Sequence, residues 1–128
     1  MEINKFEENN YVIVKEAISQ ELANFCNEYF LLKRKVVEQM NFAKIISPYV
    51  NYLGTWGDTQ APNTYSHYSD FAMETLLKKL KPMMEKATGR ELYENYSYAR
   101  IYKYGDILHR HKDRFSCEIS TTLNLGGD

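Results

Sequence analysis

The chain has 128 residues, a mass of 15.1 kDa and a formal net charge of -1, with 44% apolar content. That is room for one domain with a real core, and charges of both signs are scattered along it, so no basic stripe marks a nucleic-acid or anionic-membrane partner. Only Cys26 and Cys117 occur, far apart and without a CxxC, which argues against a disulfide framework or a zinc knuckle and for a reducing cytoplasm.

Met1-Glu2-Ile3-Asn4-Lys5 has no apolar core of the signal-peptide kind, and no run approaches the ~18 apolar residues of a membrane span. The chain is expected to be intracellular. Tyr11-Val12-Ile13-Val14 is short and β-branched and predicts a first strand. Ser19 is the expected N-cap of a helix that carries Leu22, Phe25, Cys26, Tyr29 and Phe30 at helical spacing to about Met40. From Ser47-Pro48 to Asn63, Pro48, Gly54, Gly57 and Pro62 among aromatic residues predict an irregular loop able to line a pocket. His67, in Tyr65-Ser66-His67-Tyr68, is read as a residue of that central loop and not as a ligand. Ser69 or Asp70 then caps a second helix with Phe71, Met73, Leu76, Leu77 and Leu80 on its buried side, kinked or segmented at Pro82 and closed at Gly89.

After Gly89 the period changes from 3.6 to 2. Tyr96, Tyr98, Arg100, Tyr102 and Tyr104 share one strand face. A turn at Gly105-Asp106, a strand over 107–113, a strand over 116–125 and the turn signal Gly126-Gly127-Asp128 complete the pattern. The chain holds eleven Tyr against six Phe and one Trp, a residue choice that suits cavity walls, since each ring carries a hydroxyl needing a partner.

His111-Lys112-Asp113 sets an imidazole and a carboxylate two residues apart, on one strand face about 6.5–7 Å from each other. Two His and one carboxylate define a non-haem Fe(II) site, so this pair reads as part of one; it reads equally as an exposed hydrogen-bonded pair in a charged stretch. His109 shares the face, but two strand steps separate it from Asp113 by about 13 Å, so it is assigned to the surroundings of the site.

Tyr102-Lys103-Tyr104-Gly105, His111-Lys112-Asp113 and Ile119-Ser120-Thr121-Thr122-Leu123-Asn124-Leu125 together resemble the iron(II)/2-oxoglutarate-dependent dioxygenases, in their prolyl-4-hydroxylase-like branch. The resemblance implies an α+β fold: a partial double-stranded β-helix (jelly roll) with two long helices packed on one sheet. It makes residues 1–128 a single domain, with helical support over 1–90 and the first barrel strands over 91–128. It implies His111 and Asp113 as metal ligands, Tyr102 as a hydrogen-bond donor to cosubstrate or substrate, and Fe(II), 2-oxoglutarate and ascorbate as cofactors. A family Tyr that contacts 2-oxoglutarate falls near Asn124 here, so Thr122 and Asn124 stand in for it. The family's distal His and basic residue have no counterpart after His111, so the chain is expected to be an N-terminal portion with little activity of its own.

The expected reaction is hydroxylation of a peptide or a small molecule. The rival from another class is a non-catalytic binding or interaction module, with the tyrosine-rich face holding a ligand, His111 and Asp113 incidental, and exposed sheet edges pairing two copies. A zinc hydrolase is a weaker third reading, for want of HExxH or a Cys/His cluster.

Overall fold

The computed structural model describes residues 5–47 and 49–127. Met1–Asn4, Pro48 and Asp128 lie outside the described residues, and with them the signal-peptide reading of the N-terminus, the Pro48 loop start and the end of the Gly126-Gly127-Asp128 turn. The elements in chain order are α1 (Lys5–Asn9), α2 (Gln20–Phe42), β1 (Tyr65–Tyr68), α3 (Phe71–Thr88) and β2 (Tyr98–Ile101).

The helices start and stop on local chemistry. Ser19 is extended, and its side chain accepts a hydrogen bond from the Leu22 amide at 3.2 Å, satisfying one orphan donor of the first turn of α2. Ala23, Cys26, Phe30 and Val37 are its buried residues, a stripe of period three to four. In α3 the cap is Asp70, whose Oδ1 accepts from the Met73 amide at 3.1 Å; Met73, Leu76 and Leu80 face inward. The helix runs unbroken through exposed Pro82, so the expected segmentation does not occur. It ends where Gly89 adopts a left-handed φ of 70° and donates its amide to the Glu85 carbonyl at 2.8 Å.

The sheet has two antiparallel strands, pairing Tyr65 with Ile101, Ser66 with Arg100, His67 with Ala99 and Tyr68 with Tyr98. Thr55 bridges to Ser66 on the other edge of β1. Alternation then sorts the side chains: Tyr65, His67, Ala99 and Ile101 share one face, and Ser66, Tyr68, Tyr98 and Arg100 the other. Tyr65 sits in the core with Cys26, Phe30, Val37, Met73, Leu76 and Leu80. Its ring lies 5.2 Å from Phe30 and 4.9 Å from Trp56.

This architecture corrects the expected fold. Among the described residues there is no jelly roll or double-stranded β-helix: Tyr11–Val14 is exposed and forms no strand, and neither 107–113 nor 116–125 enters a ladder. The long alternating segment from Tyr96 to Tyr104 is reduced to Tyr98–Ile101. The reason is that alternation fixes which side chains turn inward but supplies no partner for the backbone. Leu123 and Leu125 show this, because they pack against the core from a segment that pairs with no strand.

Candidate functional site

The His-x-Asp pair lies in irregular chain after β2. A turn from Lys103 to Asp106 precedes it, with the Asp106 amide donating to the Lys103 carbonyl at 3.0 Å, and the backbone at Gly105 has φ 88°, which favours glycine. The His109 amide then donates to the Gln60 carbonyl at 2.8 Å and ties the segment to the central loop.

His111 and Asp113 come together. Nε2 of His111 lies 3.4 Å from Oδ1 of Asp113, with the side chains 28% and 49% exposed. The other ring nitrogen, Nδ1, is 2.9 Å from the His109 carbonyl oxygen. A carbonyl only accepts, so this bond requires a hydrogen on Nδ1 and, in the neutral ring, a lone pair on Nε2 aimed at the carboxylate. Asp113 is oriented from behind, where Ser120 donates its hydroxyl to Oδ2 at 3.0 Å. Two lone pairs that close repel unless a proton or a metal cation lies between them. Cis ligands each about 2.1 Å from an ion lie about 3 Å apart, so the observed separation is within a few tenths of an ångström of a bidentate grip. Backing of a ligating imidazole by a carbonyl and of a carboxylate by a hydroxyl is what metal centres use to fix ligand orientation. The residues present therefore fit two positions of a metal site. Among the described residues no group of three or more His, Cys, Asp or Glu is placed to hold an ion.

The other expected contacts stand apart from this pair. The Tyr102 hydroxyl accepts from Nη1 of Arg100 at 2.9 Å, Asn124 accepts the Gly126 amide at 3.1 Å, and Thr122 is exposed. Among the described residues, none of the three is hydrogen-bonded to His111 or Asp113.

Two polar networks were not anticipated. The first is buried under the sheet. Asp70, 1% exposed, accepts from the Tyr29 hydroxyl at 2.7 Å and pairs with Lys33, whose ammonium also contacts Nδ1 of His67, 8% exposed. His67 thus belongs to β1 and not to a loop, and its ring accepts from Lys33. One signal was available: Lys33 falls three residues after Phe30 and four before Val37, on the buried stripe of α2, and a cation there needs a buried acid. The second network lies on the opposite sheet face, where Asp58 pairs with Arg100 and accepts from the Tyr98 hydroxyl. Burial raises the Asp58 carboxyl, but the bonds from Tyr98 and Arg100 outweigh it and hold it below the usual range.

The buried network makes the fold acid-sensitive. Burial, then the charge of Lys33, lowers the pKa of His67 below its ordinary 6.5, against the opposing pull of Asp70. Burial would raise Asp70, yet hydrogen bonds from Lys33, Tyr29 and the Met73 amide lower it below 3.8. Both groups bind protons more weakly folded than unfolded, so their contribution is complete above about pH 6.5 and is lost as pH falls, first through His67 and then through Asp70. The expected result is a thermal midpoint that declines on acidification from pH 7.5 to 5. Circular dichroism melts check it: a flat or rising midpoint contradicts the assignment, and His67→Gln removes the first step.

Beside the second network, a cavity of about 580 Å3 opens between the central loop and the outward sheet face. Asn51, Tyr52, Thr55, Tyr68, Tyr98 and Arg114 are among its walls, so the loop does line a pocket. No helix among the described residues is long and apolar enough to cross a membrane. Against known proteins, the chain matches no protein-family model, no curated protein and no solved structure.

Proposed function

We propose that this chain carries two ligands of the non-haem iron centre of a cytoplasmic 2-oxoglutarate-dependent oxygenase that hydroxylates a peptide or small molecule. The observation that carries the reading is the opposition of Nε2 of His111 to Oδ1 of Asp113 at 3.4 Å, with Nδ1 engaged by the His109 carbonyl and Oδ2 by Ser120. A nitrogen and oxygen donor set without thiolate suits iron. The reading rests on this pair, its supports and the Tyr–Gly–His-x-Asp resemblance, and not on the architecture, which is a two-stranded sheet against helices. Bound iron, with 2-oxoglutarate and O2, supplies the oxidising power to convert a C–H bond to C–OH, leaving succinate and CO2. The chain's own part is to hold His111 as the Nδ1–H tautomer and Asp113 in a fixed orientation. Tyr102, accepting from Arg100, keeps its own hydroxyl hydrogen for a cosubstrate or substrate oxygen. A third ligand and a basic partner for 2-oxoglutarate are required beyond the described groups.

Asp113→Ala is the sharpest test. Anaerobic Fe(II) titration is expected to show binding by the wild-type chain that the variant loses, and the natural full-length protein is expected to release succinate from 2-oxoglutarate in an Fe(II)-dependent way. Absence of both iron binding and turnover overturns the reading.

One observation favours the binding-module alternative: the tyrosine-walled cavity does not include His111 or Asp113 in its lining. Under that reading Asp113→Ala changes nothing.

A further inference from the structure

The cavity's charge is uncompensated. Its other walls are hydroxyls, an amide and rings, among them Asn51, Thr55, Ser66, Tyr98 and the imidazole of His67. Among the described residues that line it there is no Asp or Glu, and Arg114 is the permanent charge. Arg100, the other nearby guanidinium, is already committed to Asp58. Arg114 has no carboxylate partner among the described residues; what holds it is aromatic. Its guanidinium carbon lies 5.5 Å from the centroid of Tyr68 and 5.1 Å from that of Tyr96, and those two rings are 4.9 Å apart, tilted by 36°. Cation–π contact of this kind uses the flat face of the guanidinium and leaves its N–H edge for an oxyanion, which it meets with two parallel hydrogen bonds.

We infer that this cavity is a subsite for the carboxylate of a small aromatic acid, with Arg114 as the anchor and the tyrosine walls packing the ring. The volume lies within the range of about 300–1,000 Å3 usual for small-molecule sites. Arg114 directly follows Asp113, so their Cα atoms are about 3.8 Å apart and the anchor and the proposed metal pair share one segment of chain, although His111 and Asp113 do not themselves line the cavity. The inference deepens the oxygenase reading by naming its substrate class, and rests on that reading only in calling the ligand a substrate.

The test is calorimetric titration of the metal-free protein, in chelator, with benzoate, phenyl phosphate, benzyl alcohol and 2-oxoglutarate. Saturable benzoate binding is expected, weakened at least about tenfold in Arg114→Gln and less in Arg114→Lys, which keeps the charge but loses the fork. Benzyl alcohol is expected to bind at least about tenfold more weakly than benzoate. Asp113→Ala is expected to leave benzoate binding unweakened while losing Fe(II); wild-type protein that binds benzoate saturably but shows neither Fe(II) binding nor turnover rejects the oxygenase reading and keeps the subsite. Equal benzoate affinity in Arg114→Gln, equal affinity for benzyl alcohol, or no saturation by benzoate overturns the subsite. Preference for phenyl phosphate over benzoate overturns the carboxylate assignment. Tighter metal-free binding of 2-oxoglutarate than of benzoate, lost in Arg114→Gln, makes the cavity a cosubstrate site and overturns the substrate class.

Discussion

Replacing Asp70 by Ala is expected to cost about 3–5 kcal/mol, the scale for stripping one partner from a buried ion pair. Three roles end together: the cap on the Met73 amide at 3.1 Å, the acceptor for the Tyr29 hydroxyl at 2.7 Å, and the counter-charge of Lys33, whose side chain is 13% exposed. A small domain holds only about 5–15 kcal/mol in total, so most of its stability is lost. Urea denaturation followed by far-UV circular dichroism measures the change. A loss under about 1 kcal/mol contradicts the network. The double variant Lys33→Met with Asp70→Asn, which removes both charges and leaves a side-chain oxygen to cap α3, is expected to lose less than Asp70→Ala alone.

Gly54→Ala is expected to be comparably damaging, for a different reason. Gly54 has φ +110°, a conformation that L side chains rarely adopt, and a Cβ there would lie 2.4 Å from Cε2 and 2.6 Å from Cζ of Tyr65. That ring cannot step aside. It is wedged against Phe30 and Trp56, and its hydroxyl donates to the Leu53 carbonyl at 2.5 Å. Backbone strain of about 1–3 kcal/mol and overpacking of about 1–3 kcal/mol add to a loss of about 2–6 kcal/mol. Trp56 is the single tryptophan, so its fluorescence during urea unfolding reports directly on this contact. An unchanged midpoint contradicts the packing described here.

What could be read from the sequence follows the range of the forces involved. Ser19, Asp70 and Gly89 act on amides and carbonyls within four residues, and their capping roles were legible. Helix faces were legible less sharply. Phe25 and Phe71 fit an apolar count at helical spacing, yet both are exposed, because the stripe that meets the sheet runs through Cys26 and Phe30 in one helix and Met73, Leu76 and Leu80 in the other. Of the two strands, β2 lies inside the alternating Tyr96–Tyr104 segment and was legible in place but not in length, whereas β1 was not legible. Tyr65-Ser66-His67-Tyr68 carries no run of β-branched residues, and its partner Tyr98–Ile101 lies across the whole of α3. Segments 107–113 and 116–125 alternate well and still form no ladder. In the candidate site, the approach of His111 to Asp113 was legible from their spacing. Its supports were not: the His109 carbonyl acts through backbone geometry, and Ser120 reaches Asp113 from seven residues away. His67 was misplaced because its partners, Lys33 and Asp70, come from two different helix segments.

The central claim is that His111 and Asp113 grip a metal ion as a pair, and site-resolved NMR with Mn(II) as a paramagnetic stand-in for Fe(II) tests it most directly. At substoichiometric Mn(II), the resonances of His111, Asp113 and Ser120 are predicted to broaden first, those of His67 to stay sharp, and the effect to vanish in Asp113→Ala. Broadening centred elsewhere, or persisting in Asp113→Ala, would contradict it.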